Sequence, residues 1–497
     1  MTLVARLEKH VVERPDASAI ASGPTALTYR ELWQASGRYR DWLHRNGVRP
    51  GDLIAIEVGR RIDTICALVG ALRAGAIYLP LSDAWPEERC RQLTHAAGVD
   101  IVCSDAMTAA RLLPAASRSP AEGGDATDLI YVLYTSGTTG TPKGVAISDA
   151  NVCSMLDAAL GHFDLSPCDV WAMSHLATFD FSVWEMWGAL TTGGRIELLT
   201  DDEVMLPRRL RARLAASRVS ILSQVPSSFS SALKEHRIAL QENEYPNLRY
   251  VVFGGERVTM RDVSEIVTLS QGRVMPINMY GITEGSVHAT FCALTGNRVQ
   301  EWIDSHETPI GFPLLSHQVA LGGARFDDDG SEVGELMLAG PAVSRGYWRD
   351  DELNSSRFAR DPAEPSTTWF KTGDIVRRFP SGELAYIERR DSQVKVMGYR
   401  IDQSEVERHA LRLDGMTACA AYVTRQGNRD RLALAYVSES GVTPAVIADH
   451  LRRDLPTYMI PSVIHRLDTL PVTESGKVDR TRLSHGTSLT PQGQLCN

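Results

Sequence analysis

A loop of glycines and hydroxyl residues between two apolar runs constrains this chain more than any other feature. It reads Tyr134-Thr-Ser-Gly-Thr-Thr-Gly-Thr-Pro-Lys143-Gly-Val145, with Leu129 to Leu133 before it and Val145 to Ile147 after it. Apolar flanks of that length predict buried strands. A loop between strands that offers backbone N–H groups, hydroxyl donors and a lysine suits a polyphosphate. Glycine lets the backbone approach an anion and tolerates positive φ. A lone glycine loop would usually be an ordinary hairpin turn. Here glycines, hydroxyls and a lysine occur together, which argues against that reading. Nor is it a Walker-type phosphate loop, which needs Gly before Lys and Ser or Thr after it. Pro142 precedes Lys143 and Gly144 follows.

Length and charge set the outer bounds. At 497 residues the chain is too long for one core and should divide into domains. A formal net charge of −9 argues against nonspecific nucleic-acid binding, which needs a basic face. No apolar run approaches the length needed to span a bilayer, and the charged amphipathic start Met1 to His10 does not resemble a signal peptide. The eight cysteines form no CxxC pair and no metal spacing, so reduced thiols in a cytoplasmic enzyme are expected.

Helical patterns alternate with short β-branched runs, as in Leu53 to Val58 followed by Ile62 to Arg73. That alternation predicts an α/β fold. The segment Pro114 to Asp128 reads as a surface connection. Arg389 to Ser392 is a charged break after the strand-like Glu383 to Ile387. The expected division is a large multi-sheet α/β domain over 1–388, a small mobile α+β lid over 389–484, and a disordered tail over 485–497.

Further motifs follow in order. They are Leu27-Thr-Tyr-Arg-Glu-Leu32, Leu72-Arg-Ala-Gly-Ala-Ile-Tyr-Leu-Pro80, Asn278-Met-Tyr-Gly-Ile-Thr-Glu284, Gly334-Glu-Leu336 through Ser344-Arg-Gly-Tyr347, and Lys371-Thr-Gly-Asp374. Beyond them come Arg389-Arg-Asp-Ser-Gln-Val-Lys395 through Gly398-Tyr-Arg400, Leu455-Pro-Thr-Tyr-Met-Ile-Pro461 and Glu474-Ser-Gly-Lys477-Val-Asp-Arg480. With the phosphate loop, this series resembles the adenylate-forming superfamily: acyl-CoA synthetases, luciferases and adenylation domains of nonribosomal peptide synthetases. The resemblance implies activation of a carboxylate by ATP with Mg²⁺, release of pyrophosphate, and transfer of the acyl group to a thiol. Departures are Ile282 where the family usually has Pro, Glu388 where it usually has Gly, Asp402-Gln-Ser-Glu405, and Ser148-Asp149.

The resemblance also assigns roles. Lys477 would bridge the substrate carboxylate and the phosphate, although Gly476-Lys477 alone could be a surface turn. Thr135, Ser136, Gly137, Thr138, Thr139 and Lys143 would hold the phosphates. Glu284 would hold Mg²⁺, a hard cation that prefers oxygen, with Thr139 assisting. A charge at a helix start is the plainer role for Glu284. Asp374 would take the ribose hydroxyls, with Arg389 as a further donor. Tyr280 would stack on adenine, beside Phe253-Gly254-Gly255-Glu256 and the segment Asn278, Gly281 and Thr283. Asp391 matches the family's hinge.

Phe179-Asp180-Phe-Ser-Val-Trp184-Glu-Met resembles the amino-acid recognition motif of peptide-synthetase adenylation domains. Asp180 matches the aspartate that binds the α-ammonium group. A fatty or aryl acid has no cation there, and a buried carboxylate would be left unpaired. Its plainer role is a cap for the helix that follows. The remaining pocket positions carried over are Phe181, Trp184, Ser228, Val252, Gly254, Met279, Val287 and His288. Phe, Trp and Met leave a small cavity, while Ser228 and His288 offer hydrogen bonds to a hydroxyl. The set resembles threonine-activating pockets, with serine, allo-threonine, 2-aminobutyrate and valine as weaker candidates. A satisfied core histidine is the competing role for His288. No carrier-domain serine motif follows Arg480, so a stand-alone enzyme is expected, with a separate phosphopantetheinylated carrier protein as partner. A small activator protein is a further partner the resemblance admits. Nucleic acid and membrane are not expected partners. The alternatives are an acyl- or aryl-CoA ligase of the same superfamily, a non-catalytic paralogue, and a fragment of a longer synthetase.

Overall fold

Strand Ile77–Ser82 is buried at every residue, and strand Leu53–Val58 at all but two. Strands covered on both faces read as unbroken apolar runs and belong in parallel sheets flanked by helices. In the computed structural model they pair in parallel, Leu53 opposite Ile77 through Val58 opposite Ser82. Helix Ile62–Arg73 makes the crossover between them. The structure describes residues 1–107, 110–112, 128–135, 142–303, 305, 307–361, 364, 366–390, 393–426, 429–438, 442–471 and 478–484.

The described chain divides into two compact units. One comprises Met1–Asp83, Thr94–Leu133 and Gly144–Glu388. The other comprises Ala84–Leu93, Tyr134–Lys143 and Arg389–Asn497. The large unit is a mixed α/β structure. Its central sheet runs from strand Gln318–Phe326 at one edge to strand Thr25–Thr28 at the other. At its middle, strands Val170–Met173, Ile221–Gln224, Tyr250–Phe253 and Met275–Asn278 lie side by side in parallel. Leu53–Val58 and Ile77–Ser82 belong to a second sheet, which strands Leu129–Thr135 and Lys143–Ser148 continue. The smaller unit has a three-stranded sheet, Met416–Gln426, Arg429–Ser438 and Val463–Arg466, and a two-stranded ribbon, Gln393–Val396 with Tyr399–Asp402.

Several motif residues act as helix signals. Thr28 and Glu31 form a reciprocal capping box that starts helix Tyr29–Arg45. Ser148, one of the departures, caps helix Asp149–Leu160 with Asn151 in the same way. Asp402, another departure, accepts from Ser404 N and caps helix Gln403–Ala410.

The parallel strands separate two cores. Ile221, Tyr250, Val252 and Ile277 face one, which holds Phe181, Trp184, Met279 and Val287. Leu222, Val251 and Phe253 face the other, with Phe229 and Ala232 of helix Pro226–Gln241. The alternation follows from the two-residue period of a strand. Among the described residues no helix is long and apolar enough to cross a membrane.

Candidate active site

The C-terminal ends of the parallel strands lead into the segments that carry most of the expected site. This is where α/β sheets usually bind ligands. Strand Tyr250–Phe253 runs into Gly254-Gly255-Glu256, and strand Met275–Asn278 runs into Met279 to Glu284. A Cβ on Gly254 would lie 3.1 Å from Met279 O and 3.4 Å from the Phe181 ring, so only glycine leaves that corner open. At Gly281 a Cβ would lie 1.7 Å from Val287 O, so two backbone segments cross there in direct contact.

Asp180 directly precedes helix Phe181–Thr192. Its backbone is helical, and its carboxylate makes no capping hydrogen bond. The capping role is therefore not the one it plays, although the carboxylate is buried. Phe181 and Trp184, one turn apart, are both buried. Each ring meets His288 edge-on, Phe181 at 5.2 Å and Trp184 at 5.3 Å between centroids. His288 is buried; among the described residues no side chain pairs with its ring nitrogens, and the Met279 backbone lies within reach of the ring. Burial pushes its pKa down to about 3; the Met279 backbone opposes the shift and the neighbouring His175 and His317 add to it. The ring is thus neutral, with one N–H to donate and one nitrogen to accept.

Val287, just before it, sits at φ +78°, and Ser286 at +54°. A β-branched residue in that region is strained by roughly 1–3 kcal/mol. Val287 is held there over the Gly281 contact, within the same core as Phe181 and Met279.

Ser228 lies in the first turn of a helix whose N-cap is Val225, a residue of the same core as Phe181 and Trp184. It lies half-buried on helix Pro226–Gln241, whose buried side chains include Phe229 and Ala232 of the second core. A second serine on the pocket face is Ser223. It stands opposite Val252 in the parallel pair and shares that residue's face of the sheet. Its hydroxyl is buried without a partner. A lone serine in the run Ile221-Leu222-Ser223-Gln224 was the available signal.

The residues expected at the nucleotide come together in part. Tyr280 OH donates to Asp374 Oδ2 at 2.5 Å, and both residues are buried. Tyr347 OH donates to Glu284 Oε1 at 2.6 Å. Glu284 lies in the single turn Thr283–Gly285, too short to supply a useful helix dipole, and its carbonyl accepts from Ser344 N. Glu256 accepts from Ser227 N, and Asn278 donates to Pro309 O. In the smaller unit, Lys143 is buried, Thr135 Oγ1 is buried without a partner among the described residues, and Arg389 donates to Gln393. Ser136, Gly137, Thr138, Thr139, Asp391, Lys477 and the tail 485–497 lie outside the described residues.

These residues fit a nucleotide with its metal. The bare corner at Gly254 and the buried hydroxyl–carboxylate pair Tyr280–Asp374 suit a base and a ribose. Among the described residues no three His, Cys, Asp or Glu side chains gather into a metal cage. One buried carboxylate, Glu284, suits a Mg²⁺ that takes its remaining ligands from phosphate and water.

The chain belongs to the AMP-binding enzymes: residues 7–348 match that family and residues 405–477 match its C-terminal domain. It is therefore an adenylate-forming ligase. It is 33% identical over 500 residues to a plipastatin synthase protein of Bacillus subtilis (strain 168), covering 97% of this chain but only 19% of that protein. It is 32% identical to syringomycin synthase SyrB1 of Pseudomonas syringae pv. syringae, covering 96% of this chain and 81% of the relative. Among solved structures it resembles holo-PA1221, a nonribosomal peptide synthetase protein containing adenylation and PCP domains, bound to a vinylsulfonamide inhibitor. The TM-score is 0.81 at 26% identity, covering 99% of this chain and 85% of that one.

Proposed function

We propose that the chain activates an α-amino acid with ATP, L-threonine by preference, and passes it to the phosphopantetheine thiol of a carrier protein. The observation that carries this reading is Asp180, a buried carboxylate directly before Phe181 in the run Phe179-Asp-Phe-Ser-Val-Trp184-Glu, which does not cap its helix. The resemblance of that run to the amino-acid recognition motif makes an α-ammonium group the ligand we assign to it. The similarity to peptide-synthetase proteins, one of them with adenylation and PCP domains, supports the same substrate class and acceptor.

Asp180 fixes the ammonium, and with it the carboxylate, so that one carboxylate oxygen attacks the α-phosphorus as the bond to pyrophosphate breaks. Two anions meet in this step, so positioning and charge neutralisation carry the catalysis. Lys143 and Lys477 supply positive charge. The Thr135–Thr139 loop would donate to phosphate, and Glu284 with Thr139 would hold Mg²⁺. That ion, when bound, neutralises the polyphosphate. Asp374 and Arg389 hold the ribose, Tyr280 the adenine edge, with Gly254, Gly255, Glu256, Asn278, Gly281 and Thr283 around it. Residues 389–484 form a lid with Asp391 at its hinge, and Lys477 rides on it.

The preference for threonine rests on the neutral imidazole of His288, with no side-chain partner among the described residues, and on the buried hydroxyl of Ser223, in a core that holds Phe181, Trp184, Met279 and Val287. Threonine's hydroxyl satisfies one of them, and its methyl fills space that serine leaves empty. One methyl is worth roughly 1–3 kcal/mol, so serine should be a weaker substrate and valine should suffer for the missing hydroxyl. Pyrophosphate exchange with threonine, allo-threonine, serine, 2-aminobutyrate, valine, N-acetyl-threonine and a fatty acid tests it. Exchange with N-acetyl-threonine or the fatty acid at the rate of the free amino acid would rule out the ammonium site. Valine ahead of threonine would rule out the hydroxyl contact.

A further inference from the structure

Behind the pocket wall lies a carboxylate with no role in the chemistry above. Glu185, on the inner face of helix Phe181–Thr192, is completely buried. Its oxygens gather donors from two successive residues that follow strand Val170–Met173. Ser174 N lies 3.2 Å from Oε1, His175 N 3.1 Å from Oε2, and His175 Nδ1 2.8 Å from Oε1. Ser174 Oγ lies 3.1 Å from Oε1 and 3.0 Å from Ser223 O, and its single proton serves one of the two at a time. From outside, Arg60 Nη1 donates to Ser174 O at 2.5 Å while its Nε holds Asp201.

The consequence reaches the pocket through one ring. His175, pinned at Nδ1, stacks face to face on Phe181 with centroids 4.6 Å apart and planes 17° from parallel. Phe179 closes on its edge at 5.2 Å. Phe181 has open glycine at Gly254 on one side and the edge of His288 on another. Nothing but His175 supplies a stacked face to Phe181 among the described residues. A ring whose nitrogen is held by a buried carboxylate cannot turn about its χ2 axis, so the face it presents is fixed.

We propose that His175, held by Glu185, is a positioning residue that sets the side-chain selectivity of this enzyme by fixing the Phe181 wall. The proposal rests on the amino-acid reading of the pocket and concerns side-chain size, whereas Asp180 concerns the ammonium group. Without His175, Phe181 can retreat, the cavity widens, and larger side chains enter while the preferred one is held less well.

The test is steady-state pyrophosphate exchange by wild type, His175→Ala and His175→Phe with serine, threonine, valine, leucine and phenylalanine, together with the ATP KM and the Tm of each variant. In His175→Ala the KM of the preferred amino acid should rise about tenfold, as expected for loss of a close-fitting wall. Its advantage over the next larger substrate should shrink by about the same factor, with kcat and ATP KM within about twofold of wild type. His175→Phe keeps a ring face but has no donor for Glu185, so it should recover only part of the selectivity. If His175→Ala retains the wild-type ratios, the positioning role is overturned. Full recovery in His175→Phe overturns the part assigned to Glu185. If His175→Ala does not fold, the comparison of His175→Phe with wild type still decides, because equal ratios there refute the pin. If wild type exchanges with no free amino acid, it is the functional reading that fails, and an acid series of graded size then reads the wall.

Discussion

Two groups of buried polar atoms flank Phe181 and are treated in opposite ways. On one side, Glu185 is surrounded by donors from Ser174 and His175. On the other, His288 has only the Met279 backbone within reach, and the hydroxyl of Ser223 and Nε1 of Trp184 have no partner among the described residues. Burying a polar group without a hydrogen bond costs on the order of 1–3 kcal/mol, so folded proteins avoid it unless something else supplies the bond. Single orphaned atoms occur elsewhere, at Trp171 and Trp187 for example. What distinguishes the pocket is that several gather beside one wall. On the function proposed above, the satisfied side is architecture and a substrate would complete the bonding on the other.

The largest break in this contrast should come from the satisfied side. Glu185→Ala strips the acceptor from several buried donors and should cost about 3–5 kcal/mol of stability, as loss of one member of a buried charged network does. Urea denaturation measures it. A midpoint near that of wild type would mean that water can replace the carboxylate, and the two sides would not differ as argued. Asp180→Ala comes next and acts on function. Losing a charge-assisted contact to the ammonium group should cost about 1.5–3 kcal/mol in kcat/KM for the amino acid, with little change in stability. Equal losses for an amino acid and its deaminated analogue would contradict it.

Much of this was legible in the residues. The Phe179 to Trp184 run announced both the wall and the carboxylate, because one helical turn brings Phe181 and Trp184 to the same face. Strand–helix alternation announced the α/β layers. A second serine was less visible. Val225-Pro-Ser-Ser-Phe229 draws attention as a hydroxyl-rich run, and it begins a helix with Val225 in the pocket core and Phe229 in the other. Ser223 belongs to the pocket only because its strand pairs in register with Val252. That register is a long-range fact set by packing, which local pattern does not encode. Glu185 was equally visible within its motif, but its partners lie ten and eleven residues upstream, across a strand end and a helix start. The glycine corner at Gly254 and the strained Val287 likewise depend on segments meeting in space.

Acid sharpens the comparison further. Burial lowers the pKa of His288 to about 3 and those of His236 and His317 to about 4. The unfolded chain takes up protons below about 6.5, and the folded chain refuses them. The stability these neutral rings permit is therefore complete above that pH and is lost as pH falls towards 4, at roughly 1 kcal/mol per pH unit for each ring. His288→Phe should remove its share of that loss, so that the gap between wild type and variant narrows or reverses between pH 6.5 and 5. Parallel stability curves over that range would show that His288 accepts a proton when folded, and its place among the unsatisfied groups would be withdrawn.

The smallest effect separates the two serines. Ser223→Ala removes a hydroxyl that has no partner within the protein, so stability should hold or rise slightly. Its effect should appear only with a substrate that bonds to it: about 0.5–1.5 kcal/mol off kcat/KM for threonine, and nearly nothing for valine. Ser228→Ala, on a half-buried helix position, should leave both substrates within experimental error if the strand serine makes the contact. The measurement is the threonine-to-valine ratio of kcat/KM in the two variants. A fall in Ser223→Ala alone assigns the hydroxyl contact to the strand. A fall in Ser228→Ala alone would assign it to the helix instead. The division between satisfied wall and unsatisfied pocket would then have to be redrawn to take in that helix.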